Sequence, residues 1–204
     1  SIFSDFEKIT ENNLNLFKSF FLGEFLNVPE LQTSNEEIDE FYSIIISELK
    51  DHPQVICHYD FESRNLMSLS EEKIGVIDFQ DALIGPLGID LASIFKDLYI
   101  EWTDEEISNW LNFYVEKSQI VKSASLKSID VKRMIDLASL QRQTRILGKL
   151  SQVFLELNRS ARLKDFKTIL NYLINTSSEY GETKRYSDFF KNLMPILEQR
   201  LKTL

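Results

Sequence analysis

The 204-residue sequence is short of the residues that punctuate or staple a chain, with six glycines, four prolines and one cysteine. A lone cysteine, Cys57, cannot close an internal disulfide and suits a reducing, cytoplasmic environment. Only His52 and His58 accompany it, too few partners for a structural zinc site. No apolar run approaches the roughly 20 residues of a membrane-spanning helix. The opening SIFSDFEKITENN carries acids where a secretion signal carries bases, so no membrane partner is expected. Basic charge is also scarce. Lys and Arg number 23 against 32 Asp and Glu, a net charge of −9. That balance argues against a general nucleic-acid binder, which needs a basic face against phosphates. It leaves phosphate chemistry open, because a bound cation can supply local positive charge.

What is present reads mostly as helix. In NNLNLFKSFFLGEFL (12–26), Leu14, Phe17, Phe20, Phe21 and Phe25 recur near helical spacing. SNEEIDEFYSIIISELK (34–50) opens with a capping-box pattern, Ser34 with Glu37, and carries Ile38, Phe41, Ile45 and Leu49 as a core-facing stripe. The middle changes character. QVIC (54–57), NLMSL (65–69) and KIGVIDF (73–79) are short, apolar and partly β-branched, so they predict strands, the last two joined by a turn at SEEK. Helices resume after Pro86: one over 89–102, then one over 103–117 with Thr103 and Glu106 as its capping box. The next covers roughly 130–158, where Met134, Ile135, Leu150, Val153, Phe154 and Leu157 mark a stripe and Arg142 and Arg145 a solvated or ion-paired face. Two more follow, at about 163–178 and 187–203, the last bent or broken near Pro195. The expected fold is one mainly α domain with a small β-hairpin insert.

Two stretches carry the chemistry, HYDFESRN (58–65) and IGVIDFQDALIGP (74–86). Loops at strand ends suit catalytic groups because a rigid scaffold aims them. The first loop offers His58, Asp60 and Asn65; the hairpin then returns Asp78. An amide and a carboxylate facing one another can hold a hard cation through oxygen, and magnesium takes one or two carboxylates plus substrate phosphates. Asp60 is then left to orient or deprotonate a hydroxyl. Kinases divide the labour this way. Their loop reads H-R-D-x-x-x-x-N, and His58, Asp60 and Asn65 stand at the same intervals. DFQ replaces D-F-G.

ICHYDFESRNLM, GVIDFQDALIGPLGIDLASIFKD and LQRQTRILGKL together resemble the C-terminal lobe of the aminoglycoside phosphotransferase and choline kinase family, from about residue 12 to 200. Within it they are most similar to bacterial kinases of the anomeric hydroxyl of N-acetylmuramate and N-acetylglucosamine. The resemblance implies a kinase-like C-terminal lobe over 1–204, with a catalytic loop at 58–65, a metal-binding segment at 78–81 and a helical substrate subdomain at about 103–204. It implies Asp60 as catalytic base, Asn65 and Asp78 as Mg2+ ligands, and ATP and a small-molecule hydroxyl as substrates. His58 would organise the loop. Asp90 would be a buried acid that caps its helix and holds the loop through backbone N–H groups. Arg64 and Asp81 are candidate substrate or phosphate contacts. An aminoglycoside or choline-type kinase, or a non-catalytic kinase-like binding module, are the alternative readings.

One part of the family pattern is missing. No G-x-G-x-x-G loop and no V-A-I-K-like strand is found, although this family has an N-terminal lobe that covers the nucleotide. The expectation is that these 204 residues lack that lobe and have little or no kinase activity alone.

Overall fold

The computed structural model describes residues 4–28, 36–71 and 73–204. Ser34, half of the capping pattern read at 34–37, lies outside them, as does Glu72 of the SEEK turn. Helices are α1 (Ser4–Leu16), α2 (Glu36–Lys50), α3 (Gly88–Phe95), α4 (Asp104–Lys117), α5 (Gln119–Ser123), α6 (Ser128–Leu157), α7 (Phe166–Glu179) and α8 (Lys184–Lys202). The strands are β1 (Gln54–Cys57), β2 (Leu66–Ser70), β3 (Lys73–Val76) and β4 (Leu83–Pro86). The protein is thus mainly α with a small β portion. No described helix is long and apolar enough to cross a membrane. Two compact units divide the described chain, one gathering residues 4–6 with Glu48–Ser139, the other Glu7–Ser47 with Leu140–Leu204.

The first unit holds all the strands. The expected single hairpin is in fact two antiparallel pairs, one nested inside the other. Strand β2 pairs with β3, Leu66 opposite Val76 and Ser68 opposite Ile74. Outside them β1 pairs with β4, Ile56 opposite Ile84 and Cys57 opposite Leu83. LIGP gives β4 too few β-branched residues to read as a strand unaided; the edge of β1 supplies its hydrogen-bond partners. Helix α3 follows and ends at Phe95, seven residues short of the 89–102 helix expected. Lys96 leaves the helical region, and the segment beyond is tied back by the Trp102 indole N–H, which donates to the Ile94 carbonyl at 2.8 Å. Gly88 seats this helix: a Cβ there would fall 2.3 Å from the Met134 carbonyl oxygen of α6. In α4 the Thr103–Glu106 capping box forms as expected, and Trp110 packs edge-on against Trp102 at 4.5 Å.

The second unit is built on aromatics. An α-helix was expected through residue 26, but Phe17–Phe25 is wound as a π-helix, with Leu26 N–H donating to the Phe21 carbonyl five residues back at 2.9 Å. Such winding places residues four apart on one face more nearly than an α-turn does. Phe17, Phe21 and Phe25 accordingly stack in series, at 5.3 and 6.3 Å between rings, and Phe25 meets Phe166 at 4.9 Å. Gly148 makes room for this segment, since a Cβ there would sit 2.6 Å from Phe17 N. Helices α7 and α8 pack together, and α8 runs unbroken across Pro195 instead of breaking there. Its buried face, Tyr186, Phe190, Leu193 and Leu197, is continuous on both sides of the proline, so packing offsets the lost backbone bond.

Burial along α6 departs from the stripe read in the sequence. Val131, Ile135, Ala138, Leu140 and Leu147 are buried, while Leu157 is exposed. Arg142 is 1% exposed and therefore part of the interior, not a solvated face. In α2 the expected stripe of Ile38, Phe41, Ile45 and Leu49 is fully buried.

His52, just beyond α2, gives the first unit a pH-sensitive point. Burial, reinforced by the Arg133 guanidinium, pulls its pKa from 6.5 down to about 4. The unfolded chain therefore binds a proton that the folded one resists across that window. Stability should fall by about 3 kcal/mol as pH drops from about 6.5 to about 4. Urea denaturation across that range should show this slope, and a His52→Phe variant should lose it.

Candidate functional site

The chemistry-bearing stretches lie in the first unit, on the loop that follows β1. Cys57 ends that strand buried, and burial pushes its thiol up to about 12, so it acts as a small apolar filler. The chain then turns sharply. Tyr59 adopts φ 75°, a left-handed conformation costly for a bulky residue. The next residue, Asp60, is half-buried, and its carbonyl oxygen accepts the Glu62 N–H at 2.8 Å.

A carboxylate on α3 holds the strained turn in place. Asp90 accepts the His58 N–H at 2.7 Å on one oxygen and the Tyr59 N–H at 2.9 Å on the other. Removal from water raises its carboxyl pKa, and the two backbone N–H groups partly counter that. Asp90 is half-buried and sits in the first turn of α3. It does not cap the helix, contrary to expectation: the N-cap position is Leu87, without a side-chain bond. The carboxylate still favours the positive end of the helix, but its hydrogen-bonding capacity goes to the loop.

A second carboxylate, unread in the sequence, holds the other end. Asp97 is 2% exposed; it accepts the Ser63 N–H at 2.8 Å and the Tyr99 N–H at 2.7 Å. Its signal in the sequence was faint: an acid seven positions after Asp90 in a segment that otherwise reads as continuous apolar helix. Ser63 opens a 3-10 turn, Ser63–Asn65, that carries Arg64 and Asn65.

Asn65 is buried. Its Nδ2 donates to the Asp60 carbonyl at 2.8 Å, so its side-chain oxygen is the atom left for another partner. The Asn65 carbonyl accepts the Ile77 N–H at 3.1 Å, which extends the β2–β3 ladder by one step. Asp78 follows Ile77 directly in the chain, one residue past that bond. Asp78 is exposed, with φ 65°, and one of its oxygens accepts the Gln80 amide at 2.8 Å. His58 completes the frame. Its Nε2 lies 2.8 Å from the Ile77 carbonyl, and a ring nitrogen facing a carbonyl must donate, so the imidazole carries its proton there.

The other two candidates differ. Arg64 pairs through Nε with the buried Glu62 carboxylate at 2.6 Å and lies 5.6 Å over the Tyr99 ring; its side chain is 49% exposed. Asp81 is exposed in the turn between β3 and β4, which the Ala82 N–H to Phe79 carbonyl bond closes at 3.1 Å.

Amide and carboxylate oxygens are both hard donors, of the kind magnesium takes together with phosphate and water oxygens. Among the described residues, no three His, Cys, Asp or Glu side chains converge on a metal position. The side-chain oxygens of Asn65 and Asp78 are of the hard type that such an ion prefers.

If Asp90 is replaced by Asn, one of two backbone N–H groups loses its acceptor. Asp90→Asn should destabilise the fold by about 2 kcal/mol, and amide hydrogen exchange at His58 and Tyr59 should accelerate while exchange in α7 and α8 stays unchanged.

The chain matches the model of the phosphotransferase enzyme family (APH) over residues 12–120. It is 30% identical over 174 residues to the N-acetylmuramate/N-acetylglucosamine kinase of Neisseria meningitidis, covering 83% of this chain and 51% of that protein. With the protein of the same name from Pseudomonas aeruginosa it shares 29% identity over 188 residues, 92% of this chain and 55% of that one. A third, from Pseudomonas putida, is 26% identical over 182 residues, with 86% and 53% covered. The chain spans about half the length of these curated relatives.

Proposed function

The chain belongs to the phosphotransferase enzyme family, and from that premise we propose that it is the C-terminal catalytic lobe of an ATP-dependent kinase acting on a hydroxyl of an N-acetylated amino sugar. The sugar class is taken from the relatives, all named as N-acetylmuramate/N-acetylglucosamine kinases. One observation carries the catalytic assignment: the backbone bond between Ile77 and Asn65, which joins the loop bearing Asp60 to the segment bearing Asp78.

In this reading Asp60 is the catalytic base. It receives the proton of the acceptor hydroxyl and orients that oxygen for in-line attack on the γ-phosphorus of the nucleotide. Asn65 and Asp78 hold Mg2+ through their side-chain oxygens, the amide nitrogen of Asn65 being committed to the Asp60 carbonyl. Magnesium bound there would neutralise charge on the nucleotide phosphates. His58 keeps its ring proton on the Ile77 carbonyl and so organises the loop without shuttling protons. Arg64 is a candidate contact for an anionic group on either substrate, since its exposed guanidinium is steadied by Glu62 and Tyr99.

We further infer that a β-rich N-terminal lobe outside these 204 residues closes the nucleotide cleft. Supporting this, the strand pairs and the turn between β3 and β4 expose large apolar side chains: Ile56 is 82% exposed, Ile74 69%, Leu69 68% and, in the turn, Phe79 65%. Apolar surface gathered on one small β portion marks an interaction face, and a covering lobe is the occupant the family pattern supplies.

The test is phosphoryl transfer from Mg-ATP to N-acetylglucosamine or N-acetylmuramate, measured with protein that carries both lobes. Asp60→Asn should lower kcat about 10³-fold with an unchanged melting temperature; full activity in that variant would sink the assignment. The 204-residue chain alone should give little or no turnover, and normal turnover from it would refute the two-lobe reading.

A further inference from the structure

We propose that Asp97 is a positioning residue for Asn65, holding the 3-10 turn that presents its side chain. The proposal rests on the reading of Asn65 as a metal ligand. The N–H of Ser63 opens the turn and so has no partner within it; Asp97 takes it at 2.8 Å. The turn closes behind it, Asn65 N–H donating to the Glu62 carbonyl at 2.9 Å. Held at both steps, the Asn65 side chain aims its Nδ2 at the Asp60 carbonyl, and its oxygen is thereby pointed away from that bond.

Asp97 is itself immobilised. Its second oxygen accepts the Tyr99 N–H two residues on, at 2.7 Å, and the residue is 2% exposed. Both oxygens are used, and that requirement explains the residue type. An asparagine offers one acceptor oxygen and would turn an NH2 group toward an N–H. The same carboxylate governs both partners of the Arg64–Tyr99 stack, because Arg64 rides on the turn and Tyr99 is fixed through its own N–H. Asp90 and Asp97 thus grip the loop on either side of Asp60, at residues 58–59 and at residue 63.

The experiment is NMR on 15N-labelled protein, reading Ser63 amide exchange, the Asn65 side-chain NH2 resonances and Mn2+-induced broadening. In Asp97→Asn, Ser63 exchange should accelerate at least tenfold and the Asn65 NH2 signals should move toward solvent-exposed positions. The Mn2+ concentration that half-broadens the Asn65 and Asp78 amides should rise about tenfold. Ser63→Pro serves as the second variant, and decides the matter if Asp97→Asn does not fold. It deletes the backbone N–H donor along with the serine hydroxyl, at the first position of a turn where proline fits, and Glu62 before it already has the extended backbone that proline requires. It should reproduce the Asn65 and Mn2+ changes. If both variants fold and leave the Asn65 signals and the Mn2+ midpoint within twofold of the parent, Asp97 is merely structural and the proposal is wrong. If the parent itself shows no Mn2+ broadening at these amides, the metal assignment fails, and the Asn65 side-chain signals alone decide the positioning role.

Discussion

A carboxylate has two acceptor oxygens, and the loop from His58 to Asn65 depends on that fact twice. A loop this tight cannot satisfy its own N–H groups through a helix or strand ladder, and unsatisfied donors in a partly buried setting cost about 1–3 kcal/mol each. Asp90 accepts two of them and Asp97 accepts another, with each residue's remaining rotamer freedom removed by its own bonds. The left-handed backbone of Tyr59 persists because that frame over-determines it. Everything the loop displays, Asp60 and Asn65 in particular, takes its direction from those oxygens.

The frame extends through the nested strand pairs. The inner hairpin ends where Ile77 donates to the Asn65 carbonyl and accepts from His58. One residue is therefore bonded to both ends of the HxDxxxxN stretch. Asp78 follows it directly with a positive φ, which turns the chain out of the ladder. Helix α3 must lie close for its Asp90, and for Asp97 just beyond its end, to reach the loop, and Gly88 permits close packing on α6: any side chain there would meet the Met134 backbone.

The second unit relies on a different force. Its interior is filled with phenylalanine, and the stacked series Phe17, Phe21 and Phe25 with Phe166 supplies large buried areas with defined ring geometry. The π-winding and Gly148 serve that packing. Arg142, fully buried in α6, shows that this interior also holds charge, which is tolerable only with hydrogen-bonded partners.

The sequence by itself determined the element types with strong local signals. These were the α2 stripe, the Thr103–Glu106 capping box, the strand at 54–57, the one read at 73–79 of which 73–76 forms, and the spacing of His58, Asp60, Asn65 and Asp78. Those signals are periodicity, capping chemistry and fixed intervals, all carried by residues near one another in the chain. Only the tertiary structure decided the rest. Strand β4 exists because β1 lends it an edge, α8 survives Pro195 because its face is packed, and the π-winding follows from rings stacking on distant partners. Asp97 stayed hidden for the same reason. Its value lies in two backbone N–H groups, one of them 34 residues away, and no local pattern announces which carboxylate a fold will use to hold its loop.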